Sequence, residues 1–339
     1  MLLAPGATLS MVLVSNSGLS NRTATLTLSN FSLTVAAESS KVTFEYDSAL
    51  GSVTVDGTAV NSGDTKDISL STGATIVASA NSGATFHGWV DADGKILSTE
   101  ATYTLTPADD ITVKAVFTGT GSAPHFLVGS TTQQSESTGL LGFSKLYYYT
   151  VSGAYIFDDL NEAAQAAAAS SSNKAMVLMN NSTLPAGDYT IPSGVTLLIP
   201  FDDANTMFTT ASSAETEVGS NNDSIYEPPT VYRKLTMASG ANITVNGAIS
   251  LSAKHFFVNG GRIHGGAVYG PCSYIEMNEG STITVNNGAN LYTYGYIYGD
   301  GKVVAKSGAA VYEMFQITDF RGGTQATDCL LYTSPSPRD

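Results

Sequence analysis

Charged residues are scarce in this sequence, and basic residues are scarcer than acidic ones. Asp, Glu, Lys and Arg make up 13% of the 339 residues, with 15 Lys and Arg against 29 Asp and Glu. The formal net charge of −14 argues against a nucleic-acid partner, because such binding needs a Lys and Arg footprint. Ser, Thr, Asn and Gly supply the polar surface instead, which suits an extracellular protein rich in β-strands.

The sequence also lacks a long apolar run and any recognisable metal or phosphate motif. No apolar stretch approaches the roughly 20 residues of a membrane helix, so we predict no membrane span. No nucleophile elbow, phosphate loop or zinc motif is present, and we predict neither a cofactor nor a metal. Four histidines lack the spacing of metal ligands: His87, His125, His255 and His264.

The chain has only two cysteines, and one lies in a segment that we exclude from the fold. Residues 329–339 resemble the translation of a transposase mosaic-end sequencing adapter, so we expect them to pack against nothing. Cys272 is then alone, which excludes an intrachain disulfide and favours a small buried side chain over a reactive thiol. At the other end, residues 1–40 are interpreted as the β-strand remnant of an upstream domain, without the basic region of a secretory signal.

A repeat within residues 235–291 is the most informative feature. Seven residues recur at a constant offset of 40: Met237, Gly240, Ile243, Thr244, Val245, Asn246 and Leu251 return as Met277, Gly280, Ile283, Thr284, Val285, Asn286 and Leu291. Self-similarity at a fixed period indicates a solenoid. The alternation of Ile243 and Val245 with polar residues predicts short β-strands around an apolar interior.

The length of this repeat suggests two coils, because one coil of a parallel β-helix takes about 20 residues. The intervening coil would contain Phe256, Val258, Ile263 and Val268. Residues 243–246 and 283–286 are then predicted to be parallel strands of one sheet, two coils and about 10 Å apart. Asn246 and Asn286 would lie on one edge, either as a hydrogen-bonded stack or as ordinary turn residues.

Residues 41–118 form a separate unit of short strands. The strand candidates are 41–46, 51–55, 74–80, 85–90, 102–106 and 111–117. The motifs Gly73-Ala-Thr-Ile76, Phe86-His-Gly-Trp89 and Ala115-Val-Phe117 resemble the divergent internalin B-repeat. This resemblance implies a small β-grasp-like module, found in tandem on bacterial surface proteins as a spacer or an adhesive element.

The single tryptophan, Trp89, is expected to anchor the core of this unit with Phe86, Ile76 and Phe117, the alternative being an exposed binding residue. The motif Asp91-Ala-Asp-Gly94 favours a hairpin turn over a calcium loop, because the third acid and the distal Glu are absent.

The rest of the chain predicts a linker followed by a helix and a solenoid. Residues 119–145 are polar and read as a linker, whereas the Ala-rich segment 158–172 predicts a helix. The helix, a short strand and Ile191-Pro-Ser-Gly-Val-Thr-Leu197 resemble the entry to pectin-lyase-like right-handed β-helices, in which the helix covers the open first coil. We therefore predict a mainly β protein, with a right-handed parallel β-helix at 146–328, an N-terminal capping helix and a loop at 203–230.

Three polar clusters are candidates for catalysis on such a scaffold. They are Asp202 with Asp203, Arg262 with His264, and Asp319 with Arg321. Polysaccharide hydrolysis needs two carboxylates across a cleft, and lyase chemistry needs a base with calcium-held carboxylates. The hydrolase motifs of this fold are absent as such, so a polysaccharide lyase or glycoside hydrolase is the alternative to a non-enzymatic protein.

A run of alternating tyrosines is the candidate binding feature. Tyr292, Tyr294, Tyr296 and Tyr298 would all point outward from one strand, since Leu291 occupies an inward repeat position. Such a stripe suits a chain of sugars or a protein partner, unless the loop 203–230 or another domain covers it. We therefore predict a non-enzymatic, modular protein of the bacterial cell surface, adhesive or structural, which binds a glycan or a host surface protein.

Overall fold

The computed structural model describes residues 2–3, 34–35, 39–138, 144–200, 207–208, 230–251, 253–255, 269–293 and 295–313. Two short parallel strands, β1 (Leu2–Leu3) and β2 (Thr34–Val35), are described in the predicted upstream remnant. The predicted adapter segment, 329–339, lies outside the described residues, as does most of the predicted loop 203–230.

The next unit is built from nine strands in two sheets. They are β3 (Ser39–Tyr46), β4 (Gly51–Val55), β5 (Thr58–Val60), β6 (Thr65–Ser69), β7 (Ala74–Ala80), β8 (Ala84–Asp91), β9 (Ile96–Ser98), β10 (Thr102–Leu105) and β11 (Ile111–Gly119). One sheet has the order β10-β7-β4-β5, and the other has the order β6-β3-β11-β8-β9. All six predicted strands are confirmed. The expectation of a β-grasp-like module was wrong, because this unit has two sheets and, among residues 39–119, no helix.

Trp89 lies at the centre of the core between these sheets, as predicted. Its side chain is fully buried, and its indole N–H donates a hydrogen bond to the Glu100 carbonyl oxygen at 3.1 Å. The ring of Phe86 meets it edge-on at a centroid distance of 5.5 Å, and Ile76 and Phe117 belong to the same cluster. The alternative of an exposed binding tryptophan is therefore excluded.

The Asp91 motif forms the predicted turn between β8 and β9. The Asp91 carboxylate accepts hydrogen bonds from the backbone N–H groups of Asp93 and Lys95, at 3.0 and 2.9 Å. Gly94 has a φ of +76°, a left-handed conformation that glycine adopts without steric cost.

The predicted linker 119–145 instead contains much of a long hairpin. Strands β12 (Phe126–Thr138) and β13 (Ser144–Phe157) pair antiparallel, and β12 also pairs with a strand of the solenoid. The linker prediction was wrong because polar Ser, Thr and Gln residues can occupy a strand whose hydrogen bonds come from its neighbours.

Apolar residues join the first unit to the solenoid across this hairpin. Val90 and Val116 of the first unit share one buried cluster with Leu127, Ile156 and the solenoid residues Ala175, Val177 and Leu198. The backbone N–H of Ile156 donates to the Gly94 carbonyl oxygen at 2.8 Å, and Lys114 Nζ lies 2.7 Å from Asp158 Oδ2. The two units are thus in direct contact.

Helix α1 (Leu160–Ala169) is the helix predicted at 158–172. Asp159 is its N-cap, and its carboxylate accepts hydrogen bonds from the N–H groups of Asn161 and Glu162. The buried side of α1, formed by Leu160, Ala163, Ala164 and Ala167, belongs to the solenoid core.

The solenoid is formed by strands that visit three sheets in a fixed order. The strands are β14 (Ala175–Leu178), β15 (Ser182–Leu184), β16 (Gly187–Ile191), β17 (Thr196–Ile199), β18 (Met207–Phe208), β19 (Thr230–Met237), β20 (Ala241–Val245), β21 (Ala248–Leu251), β22 (Ala253–His255), β23 (Tyr269–Met277), β24 (Thr282–Val285), β25 (Asn290–Thr293), β26 (Tyr296–Gly299), β27 (Lys302–Ala305) and β28 (Ala310–Glu313). The first sheet contains β15, β19, β23 and β26, the second β16, β20, β24 and β27, and the third β14, β17, β21, β25 and β28. Strands β22 and β18 do not follow this order, because β22 pairs antiparallel with β23 and β18 pairs antiparallel with β13. Within each of these series, neighbouring strands are parallel.

The repeat offset of 40 corresponds to one coil, meaning one passage through the three sheets, and not to two. Ile243 pairs directly with Ile283, and Ile283 pairs with Val303, an offset of 20. The two-coil prediction was wrong because β21 and β23 are separated by an insertion in the chain, whereas β25 and β26 are separated only by residues 294–295. The residues predicted for the intervening coil, 256–268, lie outside the described residues.

Stacked asparagines mark one edge of the solenoid, in adjacent coils. Asn286 Nδ2 donates to Asn246 Oδ1 at 2.8 Å. The predicted hydrogen-bonded stack is therefore confirmed at this pair, in preference to two independent turn residues.

Candidate binding face

The four predicted tyrosines do not share one strand. Tyr292 lies on β25 in the third sheet, whereas Tyr296 and Tyr298 lie on β26 in the first sheet. The single-strand prediction was wrong because β25 and β26 belong to different sheets, so the chain changes direction between Thr293 and Tyr296. A Cβ added to Gly295 would collide with the Ser273 carbonyl oxygen, so the backbone here passes close to the preceding coil. Tyr294 lies outside the described residues.

Two of the predicted tyrosines instead meet a third from the neighbouring coil. The Tyr274 ring on β23 stacks on that of Tyr296 with a centroid distance of 5.3 Å and an interplanar angle of 23°. It also meets the Tyr298 ring edge-on at 5.8 Å and 87°. Their strand neighbours Ile275 and Ile297 are buried in the core, so the half-buried tyrosines lie on the outer side of the first sheet.

A charged pair continues this surface toward β19. Lys234 Nζ lies 2.7 Å from Glu276 Oε2, and the Thr236 hydroxyl donates to the same oxygen at 3.1 Å. The hydrogen bond from Lys234 lowers the pKa of Glu276, and the same bond raises the pKa of Lys234. Because the two side chains are 31% and 35% exposed, water and salt weaken the attraction between them.

Strand register arranges these six residues in two rows across the coils. Lys234 pairs with Tyr274 and Tyr274 with Tyr296, whereas Thr236 pairs with Glu276 and Glu276 with Tyr298. Burial raises the pKa of Tyr298, and the nearby Glu276 carboxylate raises it further, so its hydroxyl stays protonated at neutral pH. We call Lys234, Thr236, Tyr274, Glu276, Tyr296 and Tyr298 the tyrosine face.

The tyrosine face combines aromatic surface with one balanced ion pair. The charges of Lys234 and Glu276 sum to zero, and the Glu276 carboxylate accepts a hydrogen bond from Lys234. The aromatic rings present apolar surface with polar edges. Sequence reasoning missed Tyr274, Lys234 and Glu276. The offset of 40 aligned Lys234 with Tyr274, but the change to an offset of 22 between Tyr274 and Tyr296 carries no signal in the repeat.

The predicted catalytic candidates all lie outside the described residues: Asp202, Asp203, Arg262, His264, Asp319 and Arg321. Within the described ranges, no group of three or more His, Cys, Asp or Glu side chains is placed to hold a metal ion. In the same ranges, no helix has the length and apolar character that a bilayer crossing requires.

Comparison with known proteins identifies one part of the chain. Residues 43–121 match the family described as the divergent InlB B-repeat domain, in agreement with the resemblance drawn from the Trp89 and Phe117 motifs. This match points to a bacterial surface protein and is consistent with an extracellular location. No curated protein and no solved structure shows significant similarity to the chain.

Proposed function

We propose that the chain is part of a non-enzymatic, adhesive protein of the bacterial cell surface, which binds a glycan through the tyrosine face. The observation that carries this proposal is the convergence of Tyr274, Tyr296 and Tyr298 from two adjacent coils beside the Lys234–Glu276 pair. Sugars present apolar C–H faces and hydroxyl edges, which match aromatic rings and a flanking hydrogen-bonding pair.

The scaffold supports this proposal through its rigidity. We interpret the three sheets as a right-handed parallel β-helix, the handedness that parallel strand crossovers adopt in almost all proteins. Each ring is held by a strand whose alternate residues, Ile275 and Ile297, are fixed in the core. A preorganised surface loses little conformational entropy when a ligand binds.

The family match of the first unit supports a location on the bacterial cell surface. Its B-repeat match is the ground for a bacterial surface protein, and its apolar contact with Ala175, Val177 and Leu198 attaches it to the solenoid that carries the tyrosine face. A host surface protein is the other partner class predicted from the sequence, and the experiment below includes it. The polysaccharide lyase or hydrolase alternative depends on residues outside the described ranges.

The test compares tyrosine variants in the first sheet with a tyrosine variant in the third sheet. The wild type, Tyr296→Ala/Tyr298→Ala and the control Tyr292→Ala are applied to a glycan array and to immobilised host matrix proteins. Each aromatic contact contributes about 0.5–1.5 kcal/mol, so losing two rings is expected to weaken binding at least about five-fold, at 1.4 kcal/mol per factor of ten.

The control isolates the first sheet from a general effect of tyrosine loss. Tyr292 is also half-buried on an outer side, but it belongs to the third sheet, so Tyr292→Ala is expected to bind like the wild type. Circular dichroism verifies that all three proteins fold. Equal binding by the folded double variant and the wild type would remove the tyrosine face from the function.

A further inference from the structure

A cleft at the junction of the first unit and the solenoid lies apart from the tyrosine face. Its volume is about 480 Å³, within the range of roughly 300–1,000 Å³ found for small-molecule sites, which often occur between domains. Its lining includes Glu45, Tyr46, Asp47, Lys114, His125 and Asp158. These residues come from both sides of the junction.

His125 supplies a hydrogen-bond acceptor in this cleft. The residue is 8% exposed, and its Nδ1 lies 3.0 Å from the Ala123 carbonyl oxygen. Because a carbonyl oxygen only accepts, Nδ1 carries the proton, and Nε2 of the neutral ring carries a lone pair. Burial lowers the pKa of His125, which favours this neutral form. Among the described residues, none forms a hydrogen bond with Nε2.

The imidazole of His125 lies among charged side chains and on a backbone segment that is held by a hydrogen bond. Asp158 and Asp47 raise its pKa and Lys114 lowers it, and all three residues line the cleft. The backbone N–H of His125 donates to Asn180 Oδ1 at 2.9 Å, which holds this segment against the solenoid. The ring is therefore fixed at the wall of the cleft.

The cleft has an excess of negative charge. Lys114 is paired with Asp158 at 2.7 Å, so these two charges offset each other. Glu45 lies beside Lys114 across β3 and β11, and Asp47 is exposed, so the described lining carries three carboxylates against one ammonium group. Tyr46 also lines the cleft. Its hydroxyl donates a hydrogen bond to the Val60 carbonyl oxygen at 2.8 Å, which fixes the ring.

We propose that this cleft binds a small organic cation that carries a primary ammonium group. An ammonium group has three N–H donors and no acceptor, which complements His125 Nε2 and the carboxylates of Asp47 and Glu45. Tyr46 provides an aromatic surface that attracts a cation and its alkyl chain. A metal ion fits less well, because no metal-holding group of side chains occurs within the described residues.

The test is an NMR titration of the full chain with 1,5-diaminopentane, with 1,5-pentanediol as its neutral counterpart. The chain has four histidines, and the His125→Gln variant identifies the His125 imidazole signal. The diamine is expected to shift this signal in a saturable manner, and the diol is expected to leave it unchanged. Binding weakens as the pH falls through the lowered pKa of His125, because a protonated imidazole repels the cation.

Two charge variants complete the test. The backbone N–H of Ala49 donates a hydrogen bond to Asp47 Oδ1 at 2.9 Å. Asp47→Asn keeps an acceptor oxygen for this bond but removes the negative charge. It is expected to bind the diamine about two- to five-fold more weakly, as for one exposed charge pair. Asp67→Asn, on β6 outside the cleft, is the control and is expected to bind normally. A non-saturable shift, an equal effect of the diol, or wild-type binding by Asp47→Asn would overturn the proposal.

Discussion

Ile283 occupies the centre of an inward stack, and its truncation tests the register of the solenoid. Ile283 is fully buried and pairs with Ile243 on one side and with Val303 on the other. Removing most of a buried isoleucine side chain loses its transfer free energy and leaves a cavity that a close-packed core cannot fill. Ile283→Ala is therefore expected to lower the free energy of unfolding by about 2–5 kcal/mol.

The adjacent residue provides the matched control. Thr284 lies on the same strand but on its outer side, where it is only half-buried. Thr284→Ala is expected to change the free energy of unfolding by no more than about 0.5 kcal/mol. The two variants thus differ by one position along β24 and by the side of the sheet that they occupy.

Urea denaturation followed by far-UV circular dichroism measures both variants. The midpoint urea concentration equals the free energy of unfolding in water divided by the m-value, which is the slope of that free energy against urea concentration. A change in midpoint at a constant m-value therefore reports a change in stability. A loss below about 1 kcal/mol for Ile283→Ala, or an equal loss for Thr284→Ala, would refute the assignment of inward and outward residues on this strand.

Three further predictions concern the edge stack and the junction. Asn286→Ala removes the hydrogen bond to Asn246 and is expected to cost about 0.5–1.5 kcal/mol by urea denaturation, and an unchanged midpoint would contradict a stabilising stack. His125, with its lowered pKa, is neutral in the folded protein but binds a proton in the unfolded chain below about pH 6.5. The contribution of the neutral His125 side chain to stability is therefore complete above this pH and is lost as the pH falls. The melting temperature of His125→Gln should consequently depend less on pH, between 7.5 and 5.5, than the melting temperature of the wild type. Val177→Ala, in the junction cluster, should lower the urea midpoint seen by Trp89 fluorescence as well as by circular dichroism, whereas an unshifted Trp89 transition would show that the two units unfold independently.

Local patterns were sufficient to predict much of the fold. Alternating residues gave all six predicted strands of the first unit, and the Ala-rich segment after Asp159 gave helix α1. These predictions succeeded because strand and helix periodicities are set by which side of an element is buried. The missed strands β5 and β9 have three residues each, which is too few to show an alternation, and β6 has a single buried residue, Ile68, among polar ones.

Long-range features could not be predicted in the same way. The repeat at 243–246 and 283–286 revealed parallel strands, but an insertion doubled its apparent length and concealed that the strands are neighbours. The alternating tyrosines continue without interruption through Gly295, so their period gives no sign of the corner between two sheets. The meeting of Tyr274 with Tyr296 depends on the distance between coils, which alternation within one strand does not encode.

Glycan binding at the tyrosine face can be observed by NMR of protein labelled with ¹³C in its tyrosine rings. The ligand selected on the glycan array is titrated into the full chain, and single Tyr→Phe variants assign the signals. If the tyrosine face holds the glycan, the signals of the Tyr274, Tyr296 and Tyr298 rings shift in a saturable manner with one common dissociation constant, and the Tyr292 signal is unchanged. Saturable binding that leaves the three rings of the first sheet unshifted would place the glycan elsewhere on the protein.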